Sequence, residues 1–60
     1  MVKVTAAVLN IRQGPGANYP KVGQIINQGV YTIAETQDNW GKLKSGAGWI
    51  CLDYTKKVYS

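Results

Sequence analysis

Apolar residues in this chain recur at every second position in short runs. Glycine, proline, asparagine or aspartate breaks the runs roughly every eight to ten residues. Alternation at period two puts successive side chains on opposite faces of a strand, and such frequent breaks leave no convincing helix. The pattern restricts the chain to a small all-β barrel or sandwich. Sixty residues supply a single domain, 1–60. A chain of that length buries only about 60% of the surface its unfolded form exposes, so its stability is marginal but sufficient. The 45% hydrophobic content is that of a globular domain rather than a disordered segment.

The runs can be placed individually. Val2–Thr5 alternates and reads as a first strand. Leu9–Arg12 alternates again, with Leu9 and Ile11 inward and Asn10 and Arg12 outward. Gln13–Tyr19 is then a long loop, stiffened by Pro15 between Gly14 and Gly16. Tyr19–Val22 leads into a strand over Gly23–Ile26, and Asn27–Gly29 turns the chain. Val30–Thr36, β-branched and aromatic, is expected to form one central strand. Gln37–Asn39 is a turn, Trp40–Lys44 a strand, Ser45–Gly48 a tight hairpin turn and Trp49–Leu52 the next strand. Asp53–Thr55 fits a single helical turn, and Lys56–Tyr59 closes the structure. Closure removes open sheet edges, which in so small a β protein invite aggregation.

Several chemistries are excluded by what the chain lacks. There is no histidine, so no nucleophile of the Ser/His or Cys/His type can be assembled. The lone Cys51 makes no intrachain disulfide and belongs to no zinc-binding spacing; it reads as a small buried hydrophobe. Glu35, Asp38 and Asp53 are the only carboxylates. Two of them fall in predicted turns, where aspartate commonly serves local hydrogen bonding. The Gln13–Ala17 loop lacks the Lys-Ser/Thr and following helix of a phosphate loop. No cofactor and no metal are expected, and no apolar run is long enough to span a membrane. The first residues show no signal-peptide pattern, so a module working outside the cell depends for export or release on something beyond these residues. The net charge of +4 attracts polyanions, but the basic residues are scattered and read mostly as a solvated surface.

Two segments carry a resemblance. Leu9-Asn10-Ile11-Arg12 is followed, after one polar residue, by Gly14-Pro15-Gly16 and then Tyr19. Later come Val22-Gly23, Gly29, Trp40 three residues before Leu43, and Gly48-Trp49-Ile50 with Tyr54 five residues after the tryptophan. Each piece alone is weak, but the ordered set covers nearly the whole chain and resembles the bacterial SH3 domain (SH3b) of cell-wall hydrolases. The resemblance implies an SH3-like barrel of about five to seven short antiparallel strands. The Gly48–Tyr54 tail is also similar to the end of eukaryotic SH3 domains. There Cys51 replaces a proline, and the acidic arm that reads an arginine is missing, which argues against a polyproline ligand.

Strand parity selects the candidate site. Leu43 is the large aliphatic of its strand and points inward, so Gly41 shares its face and Trp40, Lys42 and Lys44 point outward. A β-bulge would instead turn Trp40 inward. Trp49 is open between packing on the barrel and facing a ligand. Tyr54 ends a turn and Tyr19 follows the glycine loop; both can wall a groove. Tyr31 and Tyr59 read as structural or merely exposed. Arg12 reads as a brace for loop carbonyls, with a carboxylate contact as the alternative, and Asn10 either orients a ligand or caps the turn. The expected ligand-binding set is therefore Asn10, Tyr19, Trp40, Lys42 and Tyr54, with Lys44 alongside. Rigid aromatic walls offer contact area at low entropic cost to short flexible peptides, and sugar rings stack on them as well.

The resemblance implies a non-catalytic module that binds peptidoglycan through a stem peptide, cross-bridge or glycan, with anionic wall polymers as further partners. It would target an attached hydrolase domain such as an endolysin or autolysin, outside the cell at the wall or released from a phage at lysis. The rival readings are a peptide-binding module of a bacterial surface or signalling protein and, behind it, a single-stranded nucleic-acid-binding barrel, which lysines interleaved with aromatics would suit. A purely structural domain packed on an attached enzyme is the remaining alternative.

Overall fold

A computed structural model describes residues 1–58. Among them eight strands form two antiparallel sheets. The strands are β1 (Val2–Val4), β2 (Leu9–Arg12), β3 (Lys21–Ile25), β4 (Val30–Tyr31), β5 (Ile33–Gln37), β6 (Trp40–Leu43), β7 (Trp49–Cys51) and β8 (Thr55–Lys57). A single 3₁₀ turn, Leu52–Tyr54, joins β7 to β8 where one helical turn is expected. The five-stranded sheet has the order β3-β2-β7-β6-β5 and the three-stranded sheet the order β4-β1-β8. The result is a small SH3-like barrel.

Alternation in the sequence builds the core directly. Val4, Leu9, Ile11, Ile25, Leu43 and Ile50 are buried and pack together, with Val2, Tyr31 and Ile33 against them. Ile50 and Val4 are wholly inaccessible to solvent. Every strand of the five-stranded sheet except the edge strand β5 gives this cluster at least one buried aliphatic, which is what holds the sheet curled around it.

One expected strand is two. The run Val30–Thr36 breaks at Thr32, so β4 pairs with β1 while β5 pairs with β6. Thr32 is the corner at which the chain changes sheets, and its carbonyl accepts the Lys44 backbone N–H at 3.0 Å. Both halves are edge strands rather than central ones. β-Branched composition reports that a segment is extended, not which sheet it joins. This division raises the strand count above the expected five to seven, to eight among the described residues. β8 begins at Thr55, pairs with β1 and performs the expected closure; Tyr59, assigned to that strand from sequence, lies outside the described residues.

The turns follow their chemistry. Asp38 and Asn39, with φ of 48° and 68°, form the two-residue connection between β5 and β6. Positive φ at both central positions is the hairpin geometry that matches strand twist, and Asp and Asn tolerate it. Gly48, at φ 138°, lies hard against β2. A Cβ there would sit 2.6 Å from the Arg12 carbonyl oxygen and 2.7 Å from the Ile11 side chain. The register of β2 against β3 slips beside this contact, between Ile11 and Arg12.

Candidate ligand groove

The outer face of the five-stranded sheet follows from the same alternation. With Ile50 in the core, Trp49 and Cys51 must face outward; with Gly41 and Leu43 buried, Trp40 and Lys42 do the same. Register then aligns them. Trp40 stands across from Cys51, and Lys42 across from Trp49, which stands across from Arg12. No bulge turns Trp40 inward.

Three of the five expected ligand residues meet in one depression. A cavity of about 450 Å³ is lined by Asn10 and Arg12 of β2, Trp40 of β6, Cys51 of β7 and Tyr54 of the 3₁₀ turn, with Val8 and Ala17 at its margins. Trp40 is half-buried and lines the cavity. Tyr54, 53% exposed, is one of the residues lining the groove. Its backbone carbonyl accepts from the Thr5 N–H at 2.9 Å and the Thr5 hydroxyl at 3.0 Å. The Thr55 hydroxyl donates to the Leu52 carbonyl at 2.8 Å, fastening the other side of the turn.

Asn10 does not cap the glycine loop. Its side-chain oxygen accepts from Gln24 Nε2 at 3.4 Å across the β2–β3 pair, and the residue also lines the groove. Arg12 Nη1 donates to the Tyr19 carbonyl at 3.5 Å, the loop brace expected of it, while also lining the groove.

Tyr19 and Lys42 are placed elsewhere. The Tyr19 ring lies over Gly14 and Gly16, so close that a Cβ on Gly14 would overlap it. Lys42 Nζ stands 3.9 Å from Glu35 Oε1, across the β5–β6 hairpin. Lys44 is exposed beyond the end of β6. Trp49 sits on the outer face but outside the cavity.

Cys51 departs from its expected role. It is half-buried on the groove wall rather than a core hydrophobe. Parity with Ile50 is the signal that would have placed it, since neighbours in a strand face opposite ways. Val8, 53% exposed just before β2, carried no such signal.

Two other depressions are less suited to a ligand. One, of about 490 Å³, lies between Met1, Val2 and Val58 on one side and Ile33–Thr36 on the other, and no aromatic lines it. The other, of about 370 Å³, is a surface dip around Tyr31, Thr32 and Lys44. Among these depressions of the described residues, the Trp40–Tyr54 groove joins two aromatic walls to polar groups, the composition expected of a binding site.

The sequence matches the family of the bacterial SH3 domain over residues 7–56, which takes in the groove and nearly every strand. The chain belongs to the bacterial SH3 domain family. No curated protein and no solved structure matches it. As a bacterial SH3 domain it is a binding module, and the groove on the outer face of its larger sheet is the candidate surface for that binding. Among the described residues no helix is long and apolar enough to cross a membrane.

Proposed function

We propose that this SH3b domain binds peptidoglycan and, without catalysis of its own, targets an attached hydrolase of the endolysin or autolysin kind to the cell wall. The observation that carries the reading is the convergence of Trp40, Tyr54 and Asn10 on one groove. Two aromatic residues beside an amide and a guanidinium suit a short peptide or a sugar: rings cover apolar C–H faces, and the polar groups fix orientation. The groove is small, so a single contact is of modest affinity. Its use lies in raising the local concentration of a tethered enzyme at its substrate. The site of action on this reading is outside the cell, at the wall, reached by secretion or after phage lysis.

Co-sedimentation with purified Gram-positive peptidoglycan, before and after removal of teichoic acid, tests the proposal. Binding that survives stripping and is lost in folded Trp40→Ala and Tyr54→Ala proteins supports it. Failure to sediment with walls from several species would contradict it and favour a protein partner.

A further inference from the structure

We infer that the groove reads the free C-terminal carboxylate of a short extended peptide, taken by the Arg12 guanidinium, with an aliphatic side chain of that peptide against Val8 and Ile26. The inference rests on the peptidoglycan proposal and narrows its ligand to a peptide end, rather than a glycan or an amine-terminated strand.

The starting observation is the balance of donors and acceptors. Among the described residues that line the groove there is no Asp or Glu. Its polar side chains are those of Asn10, Arg12, Trp40, Cys51 and Tyr54, and each of them carries a hydrogen-bond donor. Guanidinium and indole accept nothing. The amide oxygen of Asn10 already receives Gln24 Nε2. A ligand that fits must therefore bring acceptors, and peptide carbonyls and a carboxylate do so. Sugar hydroxyls each bring a donor as well, and the side chains offer little to accept it beyond the Tyr54 hydroxyl and the occupied Asn10 oxygen. A donor buried without an acceptor costs about 1–3 kcal/mol.

The charge of the groove is equally one-sided. Among the described residues no carboxylate pairs with Arg12; Glu35 pairs with Lys42, and Asp53 accepts from Asn39. Arg12 Nη1 reaches the Tyr19 carbonyl at 3.5 Å, which engages one nitrogen of the fork. Register sets Lys21 of β3 across from Arg12, so this end of the groove is positive on both strands. A planar guanidinium matches a carboxylate through two parallel hydrogen bonds, whereas an ammonium-terminated strand would meet a like charge.

The opposite end is apolar. Val8 precedes Leu9 and Ile26 follows Ile25, the pair at the end of the β2–β3 ladder. Both are exposed, at 53% and 67%. By alternation Val8 shares the face of Asn10 and Arg12, and Ile26 that of Gln24. Val8 and Arg12 stand about 13 Å apart along the strand, the span of an extended peptide of about four residues. One end thus suits an aliphatic side chain and the other an anion, which fixes the direction in which such a peptide lies.

Titration calorimetry at neutral pH tests the inference with three probes: an N-acetylated stem tetrapeptide as the free acid, the same peptide as its C-terminal carboxamide, and the peptide-free glycan disaccharide. The wild type should prefer the acid over the amide by about tenfold, the effect of one charge-assisted pair. Arg12→Gln should bind acid and amide alike, at about the wild-type affinity for the amide. A loosened loop would instead lower both and leave their ratio unchanged, so the ratio separates a lost contact from a lost structure. Arg12→Lys should keep no more than about threefold preference, having the charge without the fork. Val8→Ser/Ile26→Ser should weaken acid and amide equally, by about fivefold. Lys21→Gln should keep the preference. Equal binding of acid and amide by the wild type, both lost in Trp40→Ala, would overturn the inference and leave the peptidoglycan proposal standing, as would tighter binding of the disaccharide. A preference that survives Arg12→Gln, or disappears in Lys21→Gln, would overturn the assignment to Arg12. Binding of none of the three probes would overturn the inference together with the proposal beneath it.

Discussion

The side-chain amide of Asn39 donates to Asp53 Oδ1 at 2.5 Å, tying the β5–β6 turn to the 3₁₀ turn. The Leu52 backbone N–H donates to the Asn39 carbonyl at 2.9 Å and doubles the tie. Asn39 immediately precedes Trp40, and Asp53 immediately precedes Tyr54. The link therefore sets the spacing between the two aromatic walls of the groove.

Asp53→Ala should consequently weaken wall binding by more than its stability cost suggests. An exposed hydrogen bond to a charged group contributes about 1 kcal/mol or somewhat more. Urea denaturation should show a loss of that order, and sedimentation with peptidoglycan should fall several-fold. Asn39→Gly keeps a residue tolerant of positive φ and removes only the amide, so it should behave alike. Wild-type binding by both variants would show that the groove does not depend on the tie.

Trp40→Ala and Tyr54→Ala are expected to abolish binding by different routes. Tyr54 is 53% exposed, so its loss should change stability by no more than about 0.5 kcal/mol. Trp40 is half-buried and should cost more, on the order of 1–3 kcal/mol. Thermal melts on both proteins separate a lost contact from a lost fold.

Tyr19→Ala should show the reverse. Its ring covers Gly14 and Gly16 and its carbonyl receives Arg12, so removing the ring should loosen the 13–20 loop. Faster hydrogen exchange in that loop, with wall binding reduced less than by Tyr54→Ala, is the expected result. A loss as large as that of Tyr54→Ala would bring Tyr19 into the ligand surface.

Gly48→Ala places a methyl group 2.6 Å from the Arg12 carbonyl oxygen, at a φ that side chains rarely adopt. The β7 strand must back away from β2, at a cost of about 1–3 kcal/mol. Ile50→Ala empties the centre of the core, costs about 2–5 kcal/mol and should leave much of so small a domain unfolded at room temperature. Urea titration of each protein checks both figures.

Much of this was legible in the sequence, because period two is a strong signal when one face of a strand is buried. Leu9 and Ile11 against Asn10 and Arg12, and Leu43 against Trp40 and Lys42, are placed by parity alone. The ordered glycine and tryptophan positions then supply the family. The remainder depended on pairing between distant segments. Nothing local to Thr32 says that the chain changes sheets there. Nothing local to Lys42 says that Glu35 lies opposite, or that Lys3 faces Lys56. Cys51 was misplaced for another reason: its chemistry suggests burial, and parity with Ile50 outweighs it. Tyr19 fits a groove wall by spacing, but the nearer glycines of its own loop receive the ring.

The most direct measurement is a two-dimensional ¹H–¹⁵N NMR titration of the domain with soluble peptidoglycan fragments, comparing stem peptides with glycan pieces. Peptidoglycan binding in the groove predicts the largest shifts at the Asn10 side-chain amide, the Trp40 indole N–H and the backbone amides of Cys51 and Tyr54. The three-stranded sheet should stay unmoved. Shifts centred on β1, β4 and β8, or none with any fragment, would contradict the assignment of the Trp40–Tyr54 groove as the wall-binding site.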